Sequence, residues 1–144
     1  MNNTVSQYTV DELVPHSGHM SLLDRVINQT AERLIAEVDI TAHSLFLDGD
    51  IGVPTWVGIE YMAQAVAAWA GVIARQAGED VRLGFLLGSR KYTAHASHFG
   101  LGETLTVTVE RAYQHDELGV FDCSIYLNGD AEVASARLNV YQPQ

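Results

Sequence analysis

Residues 34–40 (LIAEVDI), 104–109 (TLTVTV), 120–126 (VFDCSIY) and 133–141 (VASARLNVY) alternate apolar with polar positions or are rich in β-branched residues. That is the period-two pattern of strands with one buried face. Residues 82–93 (RLGFLLGSRKYT) predict a further strand, with Gly84 and Gly88 marking bends or bulges. Asn128-Gly129 signals a two-residue hairpin between the last two strands, and residues 114–119 turn the preceding pair. Three consecutive strands therefore form an antiparallel meander. One segment breaks the pattern: residues 54–75 (PTWVGIEYMAQAVAAWAGVIAR) are helix-length and apolar on nearly every side. Its interior carries one charged group, Glu60, with the amide of Gln64 one turn on. Pro54 suits a helix start, Thr55 can cap it, and Gly78 follows where a left-handed terminus is needed. About 20 residues at 1.5 Å each span roughly 30 Å, so the helix is expected to run through the domain and not along its rim. A helix of this kind must be wrapped by protein, and a carboxylate inside the wrapping is costly unless it is paired or employed. The economical arrangement is α+β, a curved antiparallel sheet wrapped round one long central helix.

Composition narrows the class. A chain of 144 residues with 47% hydrophobic residues is the size of one domain with a real core, so residues 1–144 are read as a single domain. The apolar run is near the length of a membrane span, but Glu60 and Gln64 interrupt it, Ala and Gly outnumber Leu and Ile, and no basic flank accompanies it. No membrane span is expected. The single Cys123 excludes an internal disulfide and a cysteine zinc site. No basic, apolar leader precedes Tyr8, which places the protein in the cytoplasm. A formal charge of -10 with only 8 Lys and Arg argues against nucleic acid as a partner. With no glycine-rich phosphate loop and no paired ligand spacing, neither a cofactor nor a metal is expected.

Three segments, in order, carry a family resemblance. Val14 to Val26 (VPHSGHMSLLDRV) resembles the "LPH…LLVDRV" opening of the 3-hydroxyacyl-(acyl carrier protein) dehydratases of the FabZ type. Pro54 followed six residues later by Glu60, with Tyr61-Met62-Ala63-Gln64, resembles their "PG….EALAQ" helix, and residues 100–105 (GLGETL) resemble the "PGDQL" turn. Within that family the chain is most similar to the ApeP-like branch associated with aryl polyene pigments. The resemblance implies a hotdog fold and pairing with a second hotdog subunit, as a homodimer or heterodimer whose sheets join edge to edge. It also implies dehydration of 3-hydroxyacyl thioesters on an acyl carrier protein to trans-2-enoyl thioesters, in fatty acid or aryl polyene biosynthesis.

The resemblance assigns roles and exposes one departure. In these enzymes a histidine takes the proton next to the thioester, a helix carboxylate from the other subunit protonates the departing hydroxyl, and N–H groups at the helix start hold the thioester oxygen. Glu60 matches the carboxylate, and a desolvated carboxyl keeps its proton. Thr55 and Trp56 at the helix start, where Trp56 could line an acyl tunnel, and Gln64 one turn past Glu60 are read as the substrate-binding residues. The histidine position, eight residues before Pro54, is Phe46. The nearest imidazole is His43; His16, His19 or a partner subunit are the other sources of a base. His95 and His98, in a longer stretch than the family has, are weak grounds for a metal site. The acidic carrier would be repelled at long range, which leaves Arg90 and Lys91, with Arg75 and Arg82 as neighbours, as the docking patch. Two other readings use the same carboxylate: a hotdog thioesterase directing water, and a half-active or non-catalytic subunit that completes a partner's site.

Overall fold

In the computed structural model the described residues are 22–79 and 85–141, without the side chains of Phe85, Leu86, Leu87 and Arg90. His16, His19 and Arg82 lie outside them. Strands β1 (Arg25–Gln29), β2 (Arg33–Asp39) and β3 (Gly52–Pro54) lead into a 3-10 turn, Thr55–Val57, and the long helix α1 (Gly58–Gln76). After it come β4 (Phe85–Ala94), β5 (His98–Gly100), β6 (Thr104–His115), β7 (Leu118–Leu127) and β8 (Ala131–Tyr141). Six strands form one sheet in the order β1-β2-β6-β7-β8-β4, and β3 and β5 pair separately. Every pairing is antiparallel.

The expected meander is present as β6, β7 and β8. Asp130 N–H donates to Leu127 O at 3.0 Å, so Asn128 and Gly129 are the central residues of the last turn, and both have positive φ. The β6–β7 turn is tighter than residues 114–119, because only Asp116 and Glu117 separate the strands. Register explains the core: Leu34, Ala36 and Val38 pair with Val109, Val107 and Leu105, and all six are buried. Their shared face packs with Tyr61, Met62, Ala65, Val66, Ala68, Trp69 and Val72 of α1 in one apolar cluster. Gly78 ends the helix with φ 75°, as the sequence predicts.

Two expectations need correction. Thr55 does not cap α1, since its hydroxyl donates instead to the carbonyls of Ala96 (3.0 Å) and Ser97 (3.3 Å). It ties the helix start to the segment before β5. The helix is also not wrapped on all sides. The sheet covers one face, while Glu60 of the helix and Trp56 in the turn before it are exposed in this chain. An all-round apolar helix needs cover, but the sequence does not say whether its own sheet or a second surface supplies it. Residues Thr55–Gln76 are long and apolar enough to cross a bilayer, yet 61% of the most apolar stretch is buried inside the protein.

Candidate active site

The start of α1 is held by three neighbours. Thr55 N–H donates to Ser97 O at 3.0 Å. The Tyr92 hydroxyl donates to Thr55 O, which also accepts the N–H of Gly58. Burial pushes the Tyr92 hydroxyl up to about 12, so it stays protonated, and a donor, throughout the neutral range. Gly58 is required here, because a Cβ on it would meet the Tyr92 hydroxyl and lie 3.1 Å from Ile125 Cδ1 and 3.2 Å from Phe99 Cζ. The first turn is thereby fixed against β4 and β5, with its N–H groups at the positive end of the helix dipole.

Beside that turn opens a cleft of about 460 Å³ lined by Leu22, Leu45, Phe46, Trp56, Val57, Ile59, Glu60 and Gln64. Six of the eight are apolar. Glu60 is the only charged one among these described lining residues, and Gln64 is buried, 2% exposed. Gln64 Nε2 donates to Glu60 Oε1 at 3.4 Å while Gln64 Oε1 accepts Leu22 N–H at 2.8 Å. The amide thus links the carboxylate to the segment entering β1. Phe46 and Trp56 meet edge to face, ring centroids 5.7 Å apart. Phe46 itself has φ 67°, a left-handed backbone that a bulky side chain rarely adopts.

An apolar cleft with one oriented carboxyl and a helix start beside it suits an acyl chain whose polar end reacts at Glu60. Comparison with known proteins decides the family. Residues 8–144 match the family model of ApeP-like proteins, described as ApeP dehydratase. The chain belongs to the ApeP-like dehydratase family. It is similar to a chain of the Dehydratase Heterocomplex ApeI:P from Xenorhabdus doucetiae, with TM-score 0.90 and 32% identity over 96% of this chain and 93% of that one. It also shares its fold with a hypothetical thioesterase from Streptococcus pneumoniae, solved with coenzyme A (TM-score 0.66, 13% identity, 83% of this chain and 84% of that one). The E. coli PaaI protein is a further fold relative (TM-score 0.63, 19% identity, 81% and 80%). No curated protein matches the chain. The helix packed on a large antiparallel sheet is the hotdog fold that the resemblance implies.

In this ApeP-like chain the residues named from sequence are only partly gathered. Glu60, Trp56 and Gln64 share the cleft, and Phe46, at the sequence position where the resemblance expects a histidine, is another of its lining residues. Thr55 is buried and acts through its backbone anchors. His43 sits in an exposed turn, its N–H bonded to Thr41 Oγ1 at 3.1 Å, and is not among the cleft-lining residues. Lys91 is exposed on β4 with φ 55°, at the irregularity between Arg90 and Thr93; the Arg90 side chain is outside those described. Sequence reasoning passed over Tyr92, whose anchoring of Thr55 spans 37 positions and leaves no local signal. Leu22 lies in the LLDRV segment that carried the resemblance, which could have pointed to it.

Proposed function

We propose that this chain supplies the acid and one wall of the acyl site in dehydration of a 3-hydroxyacyl thioester on an acyl carrier protein, with the base on a second, histidine-bearing hotdog subunit. The observation that carries the reading is the cleft itself: Gln64 orients Glu60 inside it, and the described lining contains Phe46 but no imidazole. The partner's base takes a proton from the carbon next to the thioester. Electrons from that C–H bond form the new C–C double bond, and the C–O bond breaks. Glu60 protonates the departing hydroxyl, which leaves as water, and solvent returns the two groups to their starting protonation. First-turn N–H groups of α1 would hold the thioester oxygen as negative charge develops on it.

Pairing is supported by what the chain leaves uncovered. Leu45, Phe46, Ile51, Trp56 and Leu101 are 39–63% exposed around the cleft and its loop, and a cluster of this kind marks a surface that another surface covers. A second subunit seated there would desolvate Glu60 and close the cleft. The sheet also ends in β4, ten residues long, an edge suited to pairing with another sheet; β1, the other edge, is only five residues long. The similarity to a chain of a dehydratase heterocomplex favours two different subunits over two copies. The test is dehydration of a carrier-bound 3-hydroxyacyl substrate by the purified chain, by its candidate partner and by the mixture. Only the mixture is expected to turn over; full activity of the lone chain would contradict the shared site. Free acid appearing in place of the enoyl product would instead identify a thioesterase.

Carrier docking is assigned to Arg90 and Lys91 on β4, which would offset the repulsion between an acidic carrier and a chain of formal charge -10. The double change Arg90→Glu with Lys91→Glu is expected to raise the carrier Kd about tenfold or more at low salt, equivalent to about 1.4 kcal/mol. An unchanged Kd, measured by titration calorimetry, would remove the patch from the account. The acyl group is expected to be of the aryl polyene type, as the family resemblance implies.

A further inference from the structure

Phe46 stands in the cleft wall on a loop that is held from outside the cleft. The loop closes on itself through Asp48 N–H to Gly52 O at 2.7 Å and Ile51 N–H to Asp48 O at 3.1 Å. A second attachment reaches across 50 positions: His98 Nε2 lies 3.0 Å from Asp48 Oδ2. The other ring nitrogen, Nδ1, lies 2.9 Å from Ser97 Oγ, so both are engaged and the ring is fixed in orientation. His98 sits on β5 opposite Pro54, and Ser97, just before that strand, accepts the Thr55 N–H, so adjacent residues anchor the helix start and this loop. A left-handed Phe is disfavoured and persists only where its surroundings over-determine it. The loop backbone is also tied by Leu101 N–H to Ile51 O at 3.2 Å, and Leu47 packs against the core, but the His98–Asp48 link is the polar side-chain contact from the loop to this strand among the described residues.

We propose that Phe46 is a specificity-determining wall that sets the width of the acyl cleft, and that His98 and Asp48 are the positioning pair that holds it against Trp56. The proposal rests on the acyl-site reading for the occupant of the cleft, and on contacts within this chain for the device itself. Phe46 narrows the cleft that it lines, so an acyl group is admitted by its cross-section. Freed of the link, the loop relaxes out of the left-handed conformation and carries the ring off Trp56.

The test labels the full chain with 5-fluorotryptophan and follows two 19F signals, assigned by Trp56→Phe: one from Trp56, which is 63% exposed and touches Phe46, and one from buried Trp69. Phe46→Ala, Asp48→Ala and His98→Ala are each expected to move the Trp56 signal and leave that of Trp69 unchanged. Asp48→Asn and His98→Gln, which keep an acceptor and a donor in place, are expected to retain the original position. A Trp56 signal that moves in Phe46→Ala but stays put in both Asp48→Ala and His98→Ala would overturn the positioning pair. So would failure of both conservative variants to rescue. The specificity arm measures, on the Trp56 signal of the labelled chain assembled with its unlabelled partner subunit, binding of two unreactive acyl-pantetheine amides, one with a short straight acyl group and one with a branched, wider group. Phe46→Ala is expected to shift the ratio of their Kd values about tenfold toward the wider one, and Asp48→Ala in the same direction by less. Binding with an unmoved ratio would overturn the wall while leaving the acyl site standing. If neither amide binds, the cleft takes no acyl group, and both the wall and the acyl-site reading fall together.

Discussion

Glu60→Gln is expected to lower dehydration by the assembled complex by a factor of about 10² to 10⁴, the range carried by a positioned general acid. At the barrier this is about 3 to 5 kcal/mol. The amide keeps the shape of the side chain and its oxygen can still accept the Gln64 Nε2 hydrogen bond of 3.4 Å, but it has no acidic proton to give the departing hydroxyl. Since Glu60 is exposed in the chain and its described bond is a long one, folding is expected to change little, within about 0.5 kcal/mol. The informative result is therefore a collapse of kcat with an unchanged melting curve and unchanged pairing. An active Glu60→Gln complex would place the acid elsewhere and remove the cleft from the chemistry.

Gly52→Ala should have the largest effect on the fold. Gly52 pairs with Gly100 in the β3–β5 ladder at φ 146°. A Cβ there would run into the carbonyl oxygen of Phe99 and lie 2.8 Å from its carbon and 3.0 Å from Gly100 Cα. All three are backbone atoms, so no rotamer relieves the clash and the strands must separate. Such a loss is expected to cost about 3 kcal/mol or more, lowering Tm by roughly 10 °C. Because β3 runs directly into Pro54 and the 3-10 turn, the helix start would shift with it, and activity should fall further than stability alone predicts. Gly49→Ala is the control. Gly49 has φ 55°, but a Cβ there meets nothing within 4 Å, so it should cost only about 1 kcal/mol. Thermal melts followed by circular dichroism separate the two; equal melts would show that β3 and β5 are not packed as described.

What the sequence revealed follows the range of the interactions involved. The meander was legible because Leu105, Val107 and Val109 on β6 and Phe121, Cys123 and Ile125 on β7 alternate with polar positions, and Asn128-Gly129 marks its last turn by backbone preference alone, as Gly78 marks the end of the helix. Three-residue strands such as β3 and β5 have no room for a pattern, and β1, RVINQ, has a single fully buried residue, Val26. Glu60 and Gln64 were found because a carboxyl and an amide interrupt an apolar run. The exposure of Glu60 was not, since an apolar helix face reads the same whether its own sheet or a second subunit covers it. Tyr92 on Thr55 and His98 on Asp48 join positions 37 and 50 apart, and nothing local distinguishes such residues from solvated neighbours. Phe46 carried its message only through the resemblance, as an aromatic where an imidazole was due.

The division of labour, acid on this chain and base on its partner, is tested most directly by an acetylenic analogue. The base removes the α-proton of a 3-alkynoyl thioester, a proton returned at C4 completes the electrophilic 2,3-allene, and the base, once deprotonated, adds to C3 and is alkylated. Mass spectrometry of the two subunits after incubating the complex with such a thioester locates the adduct. A histidine adduct on the partner, with this chain unmodified, is the expected result; an adduct on His43 of this chain would contradict the account.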